Sequence, residues 1–369
     1  MRPPADDNAP RRAGVVAVAR AVGTSPSTVS NAFNRPERLS PELRERIMIV
    51  AAEMGYGGPD PVGRSLRSGR VGAIGVVFRR TLAYAFSDPA TAPFLKGVAV
   101  VTDAQQLAVV VVPGLPEEHH SHGPAIRNVA VDGLIVYSVA ADDPLFEAAR
   151  RRSRPTVVVD SPAPEDAPGL DFVGIDDRAG AESAMRHVLE LGHRRVGVLS
   201  FGTSAHATPG PADVAMQQRA TASVTRRRLE GCAQALTAAG LPWTQVPVQQ
   251  CPVSSIEQGI AGARALLDEH SDVTAIVAFS DPLALGARLA AADRGLVVPA
   301  DLSIVGFDDT APPAERLTSV HQPHTDKGRI AAERLLGALN GAPPASPFEL
   351  LPTRLVVRDS TAAVRPPSP

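Results

Sequence analysis

The sequence predicts an α/β protein with a small N-terminal head of three helices and a large, doubly wound α/β body folded as two lobes. Residues 15–54 contain only helix-like segments, about eight to fourteen residues long, and no convincing strand. After Arg70, short apolar runs rich in β-branched residues alternate with segments long enough for helices. A chain of 369 residues with this many runs is expected to form two sheets.

The apolar runs that predict strands recur through the whole body. Continuous apolar runs of this kind are typical of parallel strands that are buried on both faces. The runs occupy residues 72–78, 107–112, 133–137, 156–160, 195–199, 274–279 and 302–307.

Composition narrows the class of protein further. The chain is 44% hydrophobic and 21% charged, and no apolar run approaches the roughly 18 residues that a membrane span needs. Residues 1–12 lack the apolar stretch of a secretory signal, so we expect a cytoplasmic protein. Cys232 and Cys251 are too few for a disulfide framework or a structural zinc site, and we expect both to be free thiols.

Charge is distributed unevenly between the two parts. Residues 1–70 carry 11 Arg and 7 Asp or Glu, a balance of +4, whereas the remainder carries 26 basic and 32 acidic residues, a balance of −6. The head is therefore the candidate polyanion binder. Arginine is used almost exclusively, since lysine occurs only at Lys96 and Lys327.

The head contains the most specific local pattern. A first helix is predicted to end at Gly23, because glycine readily takes the left-handed conformation that closes a helix. Ser25 then caps a second helix, with Pro26 at its first position. Val29 and Phe33 form an apolar i, i+4 stripe that can dock on the first helix.

Ser40 and Pro41 predict the start of a third helix, and this helix completes a three-helix unit. The second helix exposes small polar side chains, which suit a helix that enters the major groove of DNA. The alternative interpretation is a three-helix cap with no nucleic-acid role. The exposed polar residues are Ser27, Thr28, Ser30, Asn31 and Asn34.

Several ordered motifs resemble the lactose-repressor (LacI/GalR) family of bacterial transcription regulators, over residues 14–360. In the head and linker they are SPSTVSN at 25–31, LSPELRER at 39–46, MGY at 54–56 and RSLRSGRVGAIGV at 64–76. In the body they are LGHRR at 191–195, RLEG at 228–231, SDPLALG at 280–286, SIVGFDD at 303–309 and LTSVHQP at 317–323.

The resemblance implies roles for the polar residues of the second helix. Pro26, Ser27 and Asn31 match positions that read base edges, and an asparagine can make a bidentate contact to adenine. Many relatives carry arginine where Asn31 stands. The first helix also departs from the family, because the apolar residues 15–18 replace its usual polar start and provide no side-chain cap. The positions that match phosphate contacts are Ser25, Thr28, Ser30 and Asn34.

Residues 60–68 match the hinge helix of the family, with Asp60 as N-cap and Pro61 at the first position. In the family this helix orders on DNA, and the residue matching Leu66 is a wedge in the minor groove. Gly63 replaces the usual alanine and disfavours the helix by roughly 0.5–1 kcal/mol. The alternative is a plain basic linker.

The resemblance also implies that the body has the fold of periplasmic sugar-binding proteins, with two lobes, three crossovers and a ligand between the lobes. It implies no cofactor. The expected division is a disordered arm at 1–13, a helix-turn-helix domain at 14–58, a hinge at 59–70, an effector domain at 71–360 and a disordered tail at 361–369. Within the effector domain we expect lobe 1 at 71–172 and 323–347, and lobe 2 at 173–322 and 348–360.

Three body residues match positions that contact the effector in relatives: Asp160, Arg228 and Asp281. Two carboxylates and a guanidinium suit a sugar, because Asp accepts hydrogen bonds from hydroxyl groups and Arg donates to their oxygens. The alternative for each aspartate is a helix cap at the end of a strand.

These features predict a repressor that binds double-stranded operator DNA as a homodimer and responds to a small molecule, with no membrane association. A secreted solute-binding protein would use the same body but needs an export signal and has no use for the head. An enzyme would need a nucleophile–base pair, a phosphate loop or a metal cluster. We propose no metal, because the acidic and histidine residues at 117–122 lack a helical i, i+4 His pair and are interpreted as a loop.

Overall fold

The computed structural model describes residues 14–58, 69–114, 125–342 and 346–364. The chain divides into two compact units, residues 1–71 and 72–369, and each is described by itself. Leu66 and most of the expected hinge lie outside the described residues, as does the acidic and histidine segment at 117–122. None of the helices in the described ranges is long and apolar enough to cross a bilayer.

The first unit contains helices α1 (Val15–Val22), α2 (Pro26–Asn34) and α3 (Pro41–Glu53). The local signals of the sequence are confirmed. Gly23 ends α1 with a left-handed φ of 76°. The Ser25 hydroxyl accepts a hydrogen bond from the Thr28 N–H at 3.1 Å, and Ser40 caps α3 in the same way. The first helix begins at Gly14 without a side-chain cap.

The three helices enclose a small apolar core. Val18 and Val22 of α1, Val29 of α2 and Ile47 of α3 are buried together. This packing fixes which face of α2 is turned away from the head. Because α1 and α3 occupy the apolar stripe, the small polar residues of α2 remain on the outer side.

The second unit contains two sheets of mainly parallel strands. In the first sheet, all pairings are parallel, with the order β12-β5-β4-β3-β1-β2. Its strands are β1 (Ala73–Phe78), β2 (Ala108–Pro113), β3 (Gly133–Tyr137), β4 (Thr156–Val159), β5 (Asp171–Ile175) and β12 (Phe348–Leu351).

The second sheet has the order β13-β11-β10-β9-β6-β8-β7. Its central pairings are parallel, whereas the edge strands β13 and β7 are antiparallel to their neighbours. Its strands are β6 (Val196–Ser200), β7 (Gly210–Pro211), β8 (Val248–Gln250), β9 (Ala275–Ala278), β10 (Ser303–Asp308), β11 (Thr318–His321) and β13 (Arg354–Val356).

Helices cover the faces of both sheets, as the doubly wound class requires. Those around the first sheet are α4 (Leu82–Ser87), α5 (Thr91–Ala104), α6 (Pro144–Arg150) and α12 (His324–Leu339). Those around the second are α7 (Asp177–Glu190), α8 (Val214–Gln218), α9 (Ser223–Ala238), α10 (Ile256–Glu269) and α11 (Asp281–Asp293).

The chain crosses between the sheets three times: after β5, after β11 and between β12 and β13. The expected lobe boundaries need two corrections. The first lobe extends past residue 172, because all of β5 belongs to its sheet. Residues 348–351 were expected in the second lobe, but β12 pairs with β5 of the first. Pro352 separates β12 from β13, so one apolar segment serves both sheets.

Candidate effector cavity and DNA-reading helix

A cavity lies between the two sheets, at the carboxyl ends of their parallel strands. Phe78 ends β1, Tyr137 ends β3 and Asp308 ends β10, and all three line the cavity. Asp160 and Phe201, which follow β4 and β6, line it as well. Open α/β sheets bind ligands at this edge, because the loops that leave the strands are free to vary there.

On the first-lobe side, Asp160 is held by a buried lysine. The Nζ atom of Lys327 donates to both carboxylate oxygens of Asp160, at 2.7 and 2.9 Å, and to Oε1 of Gln322 at 2.6 Å. Lys327 is fully buried, and these three bonds use all of its donors. The Gln322 amide group in turn donates to Asp308. The carboxylates of Asp160 and Asp308 are therefore fixed in place by one chain of hydrogen bonds.

On the second-lobe side, Arg228 enters the cavity from α9. Its Nε donates to Asp177 at 2.7 Å, and its Nη1 donates to the carbonyl of Phe279. The guanidinium lies over the Phe307 ring, 3.5 Å from the centroid. Burial raises the pKa of Asp177, and the nearby Arg228 charge opposes that shift. Arg228 is thus a rigid donor with one face on an aromatic ring.

Asp281 differs from the sequence prediction, because it does not line the cavity. Its side chain is fully buried at the start of α11. The carboxylate accepts hydrogen bonds from the Ser319 hydroxyl at 2.6 Å, the Ala311 N–H at 2.9 Å and the Thr310 N–H. The alternative considered for it, a helix cap, does not describe this geometry either, because Ser280 caps α11 and the donors to Asp281 come from Ser319 and from the loop at 310–311. The structure brings Asp160 and Arg228 to one cavity and leaves Asp281 behind its wall.

His324 is the most unusual polar side chain of the cavity. It is 6% exposed and lines the cavity. Neither ring nitrogen has a hydrogen-bond partner. Burial, followed by the charges of Lys327 and Arg228, lowers the pKa of His324 to about 2. The imidazole is neutral at physiological pH and offers one donor and one acceptor.

A tyrosine and an aspartate complete the first-lobe wall. The Tyr84 hydroxyl donates to Asp88 at 3.3 Å and reaches the carbonyl of Ser254, in the second lobe, at 3.4 Å. Burial raises the pKa of Asp88 and that of Tyr84. Tyr137 stacks on Phe94 with ring centroids 4.3 Å apart. This wall combines aromatic surface with hydroxyl and carboxylate groups.

Polar contacts also join the lobes at the edges of the cavity. Arg79 donates to Asp143 in its own lobe and to the carbonyl of Ala205 in the other. Asp142 accepts from the Thr221 hydroxyl at 2.7 Å and from the Ala205 N–H at 3.3 Å. The lobes are therefore held together by contacts that a ligand can strengthen or disturb.

Several cavity residues were not singled out from the sequence. Asp308 and Gln322 lie in the motifs at 303–309 and 317–323, which indicated the family but gave these two residues no role, and His324 stands just after the second motif. Lys327 carried one signal, since it is one of only two lysines in an arginine-rich chain. A lysine on an apolar helix face needs a buried partner, which pointed to a carboxylate in the interior.

On α2, Pro26 and Ser27 are exposed and Asn31 is half-exposed. The Ser25 hydroxyl contacts Ser27 and Thr28, at 2.7 and 2.8 Å. These residues lie along the first turns of the helix, on the side away from the head core. The remaining polar pair is Asn34 and Ser30, in which the asparagine amide donates to the Ser30 carbonyl at 3.0 Å.

Comparison with known families identifies both units. Residues 17–58 match the model of bacterial regulatory proteins of the lacI family. Residues 185–361 match that of the periplasmic binding protein-like domain.

Individual relatives match over nearly the whole chain. The HTH-type transcriptional regulator IpsA of Corynebacterium glutamicum is 40% identical over 324 residues, 87% of this chain and 90% of the relative. A lac repressor dimer bound to operator and the anti-inducer ONPF is 26% identical, with a TM-score of 0.75, covering 96% of this chain and 100% of that one. A complex of the transcriptional regulator CelR with cellobiose is 27% identical, with a TM-score of 0.65, covering 95% and 100%.

Proposed function

Because this chain belongs to the LacI family of bacterial transcriptional regulators, we propose that it is a repressor whose operator affinity changes when a small polyhydroxylated molecule, such as a sugar, binds the cavity. The observation that carries this proposal is the placement of Asp160 and Arg228 on opposite sides of one cavity. The complex of the similar regulator CelR with cellobiose supports a sugar as the ligand.

Each lobe contributes one orienting group. Asp160 accepts hydrogen bonds from ligand hydroxyl groups, and Lys327 holds its carboxylate in place by bonding to both oxygens. Arg228 donates to ligand oxygens from a guanidinium fixed by Asp177 and Phe307. A ligand that bonds to both groups stabilises the lobe orientation in which both reach it, and so shifts the population of the two orientations.

The link from cavity to DNA runs through the hinge. We propose that the chain forms a homodimer, that its two hinge segments pair on the operator, and that Leu66 inserts into the minor groove. Ligand binding changes the lobe orientation and thereby favours or opposes hinge pairing.

On α2 we propose that Pro26, Ser27 and Asn31 contact base edges. Pro26 and Ser27 are exposed and Asn31 is half-exposed on the outer side of the helix, which supports this assignment. Contacts to phosphate fix the register of the helix without reading sequence. The residues proposed for phosphate contacts are Ser25, Thr28, Ser30 and Asn34.

The alternative function, a solute-binding protein, is disfavoured by the three-helix head and its match to the lacI family model. The periplasmic binding protein-like match alone does not separate the two functions. A solute-binding protein would bind ligand without any effect on DNA affinity.

The test is selection of bound DNA from a random pool by the full-length protein, repeated with a panel of sugars and nucleosides. Arg228→Lys keeps the charge but loses the planar fork, so we expect at least about 10-fold weaker ligand response with unchanged operator binding. The matched control is Arg227→Lys, since Arg227 pairs with Glu165 outside the cavity. A normal response in the Arg228 variant would remove this residue from the site.

A further inference from the structure

The floor of the cavity is formed where the chain passes from β11 into α12. We use the term floor for His324 together with Asp160, Asp308, Gln322 and Lys327. Four of these, all except Asp160, are not in the set predicted to contact a ligand, and His324 is buried with neither ring nitrogen hydrogen-bonded. A buried polar group without a partner destabilises the protein, and a ligand that bonds to it removes this cost.

The chemistry that His324 can accept is restricted by its neutrality. A neutral imidazole presents one N–H and one lone pair. A hydroxyl group matches either nitrogen, because it donates and accepts, whereas a phosphate or carboxylate oxygen can only accept. The low pKa of His324 also prevents it from becoming a cation that would attract an anion.

The acceptors beside it are carboxylates. Asp160 and Asp308 both line the cavity and are fixed through Lys327 and Gln322. Asp88 lines the cavity as well. These groups need donors from the ligand, and hydroxyl groups supply them. Burial raises the pKa of Asp308 well above its ordinary value and also raises that of Asp88, so these buried carboxyl groups match neutral hydroxyl groups better than a second anionic group.

The cations of the cavity are already engaged within the described part of the chain. Arg79 donates to Asp143, Arg228 to Asp177 and Lys327 to Asp160. Arg80 donates to the carbonyl of Pro252 at 2.6 Å. Arg228 keeps N–H donors for a ligand oxygen, but the positive charges of Arg79, Arg228 and Lys327 each already face a carboxylate, so these pairs do not neutralise the added charge of a phosphate group.

We propose that the floor selects an uncharged polyol and rejects its phosphorylated form, with one hydroxyl group bonded to His324 and others to Asp160 and Asp308. His324 is a specificity-determining residue, and Lys327 and Gln322 are positioning residues for the two carboxylates. This inference rests on the proposed function, because it names the class of ligand that the same cavity takes.

The test is calorimetric titration of the full-length protein with neutral monosaccharides, disaccharides and cyclic polyols, each paired with its phosphorylated form. We expect neutral members to bind at least about 10-fold more tightly than their phosphates. His324→Phe keeps a planar ring but removes both nitrogens, and we expect about 10-fold or greater loss of affinity for the neutral ligand with no loss of thermal stability. His324→Gln, which restores a donor and an acceptor, should recover part of the affinity.

The contact is then located with deoxy analogues of the ligand that binds. Removal of the hydroxyl group that bonds to His324 should weaken binding about 10-fold in the native protein and little in His324→Phe. His270→Phe is the matched control, because His270 is exposed and does not line the cavity. This control should bind every analogue as the native protein does.

Three outcomes would overturn the inference: tighter binding of a phosphorylated form, unchanged affinity in His324→Phe, or no binding by any neutral compound. Measurement of operator affinity in parallel separates the two proposals. If a neutral compound changes operator affinity equally in the native protein and in His324→Phe, the proposed role of the floor is wrong and the proposed regulatory function stands. If a compound binds through His324 without any effect on operator affinity, the proposed regulatory function is wrong and the ligand selectivity proposed for the floor stands.

Discussion

The two lobes use an aspartate near a strand end in opposite ways. Asp160 directly follows β4, takes a left-handed φ of 64° and lines the cavity. Asp281 follows β9 by three residues, begins α11 and bonds to Ser319 and to backbone N–H groups behind the cavity wall. Whether such a carboxylate meets a ligand therefore depends on the segment that follows the strand. The turn after β4 leaves the Asp160 carboxylate at the sheet edge. The helix that begins at Asp281 directs its carboxylate toward neighbouring hydroxyl and N–H donors.

The partners of the two carboxylates differ as well. Asp160 forms an ion pair with the fully buried Lys327, with Nζ 2.7 Å from the carboxylate. Asp281 faces only neutral donors, and burial raises the pKa of its carboxyl group. Removal of the Asp160 carboxylate leaves the Lys327 ammonium without its charged partner. Removal of the Asp281 carboxylate leaves neutral N–H and hydroxyl donors without an acceptor.

The largest expected effect is that of Asp160→Ala. Loss of the carboxylate leaves Lys327 buried and unpaired, and we expect the free energy of unfolding to fall by about 3–5 kcal/mol in urea denaturation at neutral pH. Adding Lys327→Met should recover much of this loss, because neither charge of this pair is then left in the interior. A loss below about 1 kcal/mol in Asp160→Ala would mean that Lys327 does not depend on this partner.

An intermediate effect is expected from pH acting on His324. Its folded-state pKa of about 2 lies below the ordinary value of 6.5, so the unfolded chain binds the additional proton. The stability that this group contributes is therefore fully present above pH 6.5 and is lost as the pH falls. The free energy of unfolding should fall by up to about 1.4 kcal/mol per pH unit, which gives a loss of roughly 2 kcal/mol at pH 5.

The measurement is urea denaturation of the native protein and His324→Phe between pH 7 and pH 5. The native protein should lose stability more steeply than the variant across this range. If the free energy of unfolding falls with pH at the same rate in both proteins, His324 titrates normally and is not desolvated by the first-lobe wall.

The smallest effect is expected for Asp281→Asn. The amide keeps one acceptor but turns an NH₂ group toward existing donors, and we expect a loss of about 1–2 kcal/mol in the free energy of unfolding. Ligand affinity of the folded protein should be unchanged, because the side chain does not line the cavity. A tenfold fall in ligand affinity, with Ser280→Ala as a control for damage to the start of α11, would place Asp281 in the site after all.

The head could be predicted from sequence almost element by element. Its signals act over three or four residues: Ser25 and Ser40 cap the helices that follow them, and Gly23 closes the helix before it. Seven strands of the body, β1 to β4, β6, β9 and β10, were visible as apolar runs, whereas β5, β7, β8 and β11 were not predicted from the sequence. Around Pro352, one segment supplies a strand to each sheet.

The cavity was only partly predictable, because its chemistry depends on distant pairs. Asp160 and Lys327 are 167 residues apart, and no local pattern joins them. Asp281 has the same local context as a ligand-binding aspartate, and only the position of the loop that carries Thr310 and Ala311 shows that its acceptors are used. The family resemblance supplied Asp160 and Arg228, but neither their bonding partners nor the lining residues Asp308, Gln322 and His324 could be predicted.

The chain of bonds through the cavity floor also constrains the design of hybrid regulators. Asp308 lies in the second lobe, Lys327 in the first, and Gln322 on the connecting segment bonds to both. A hybrid that joins this protein to another regulator at a point between residues 308 and 327 would take some members of this chain of bonds from each protein. The buried Gln322 amide or the buried Lys327 ammonium would then be left without its acceptor. New sensors built on this scaffold should exchange residues 303–327 as one cassette, together with the aspartate at 160.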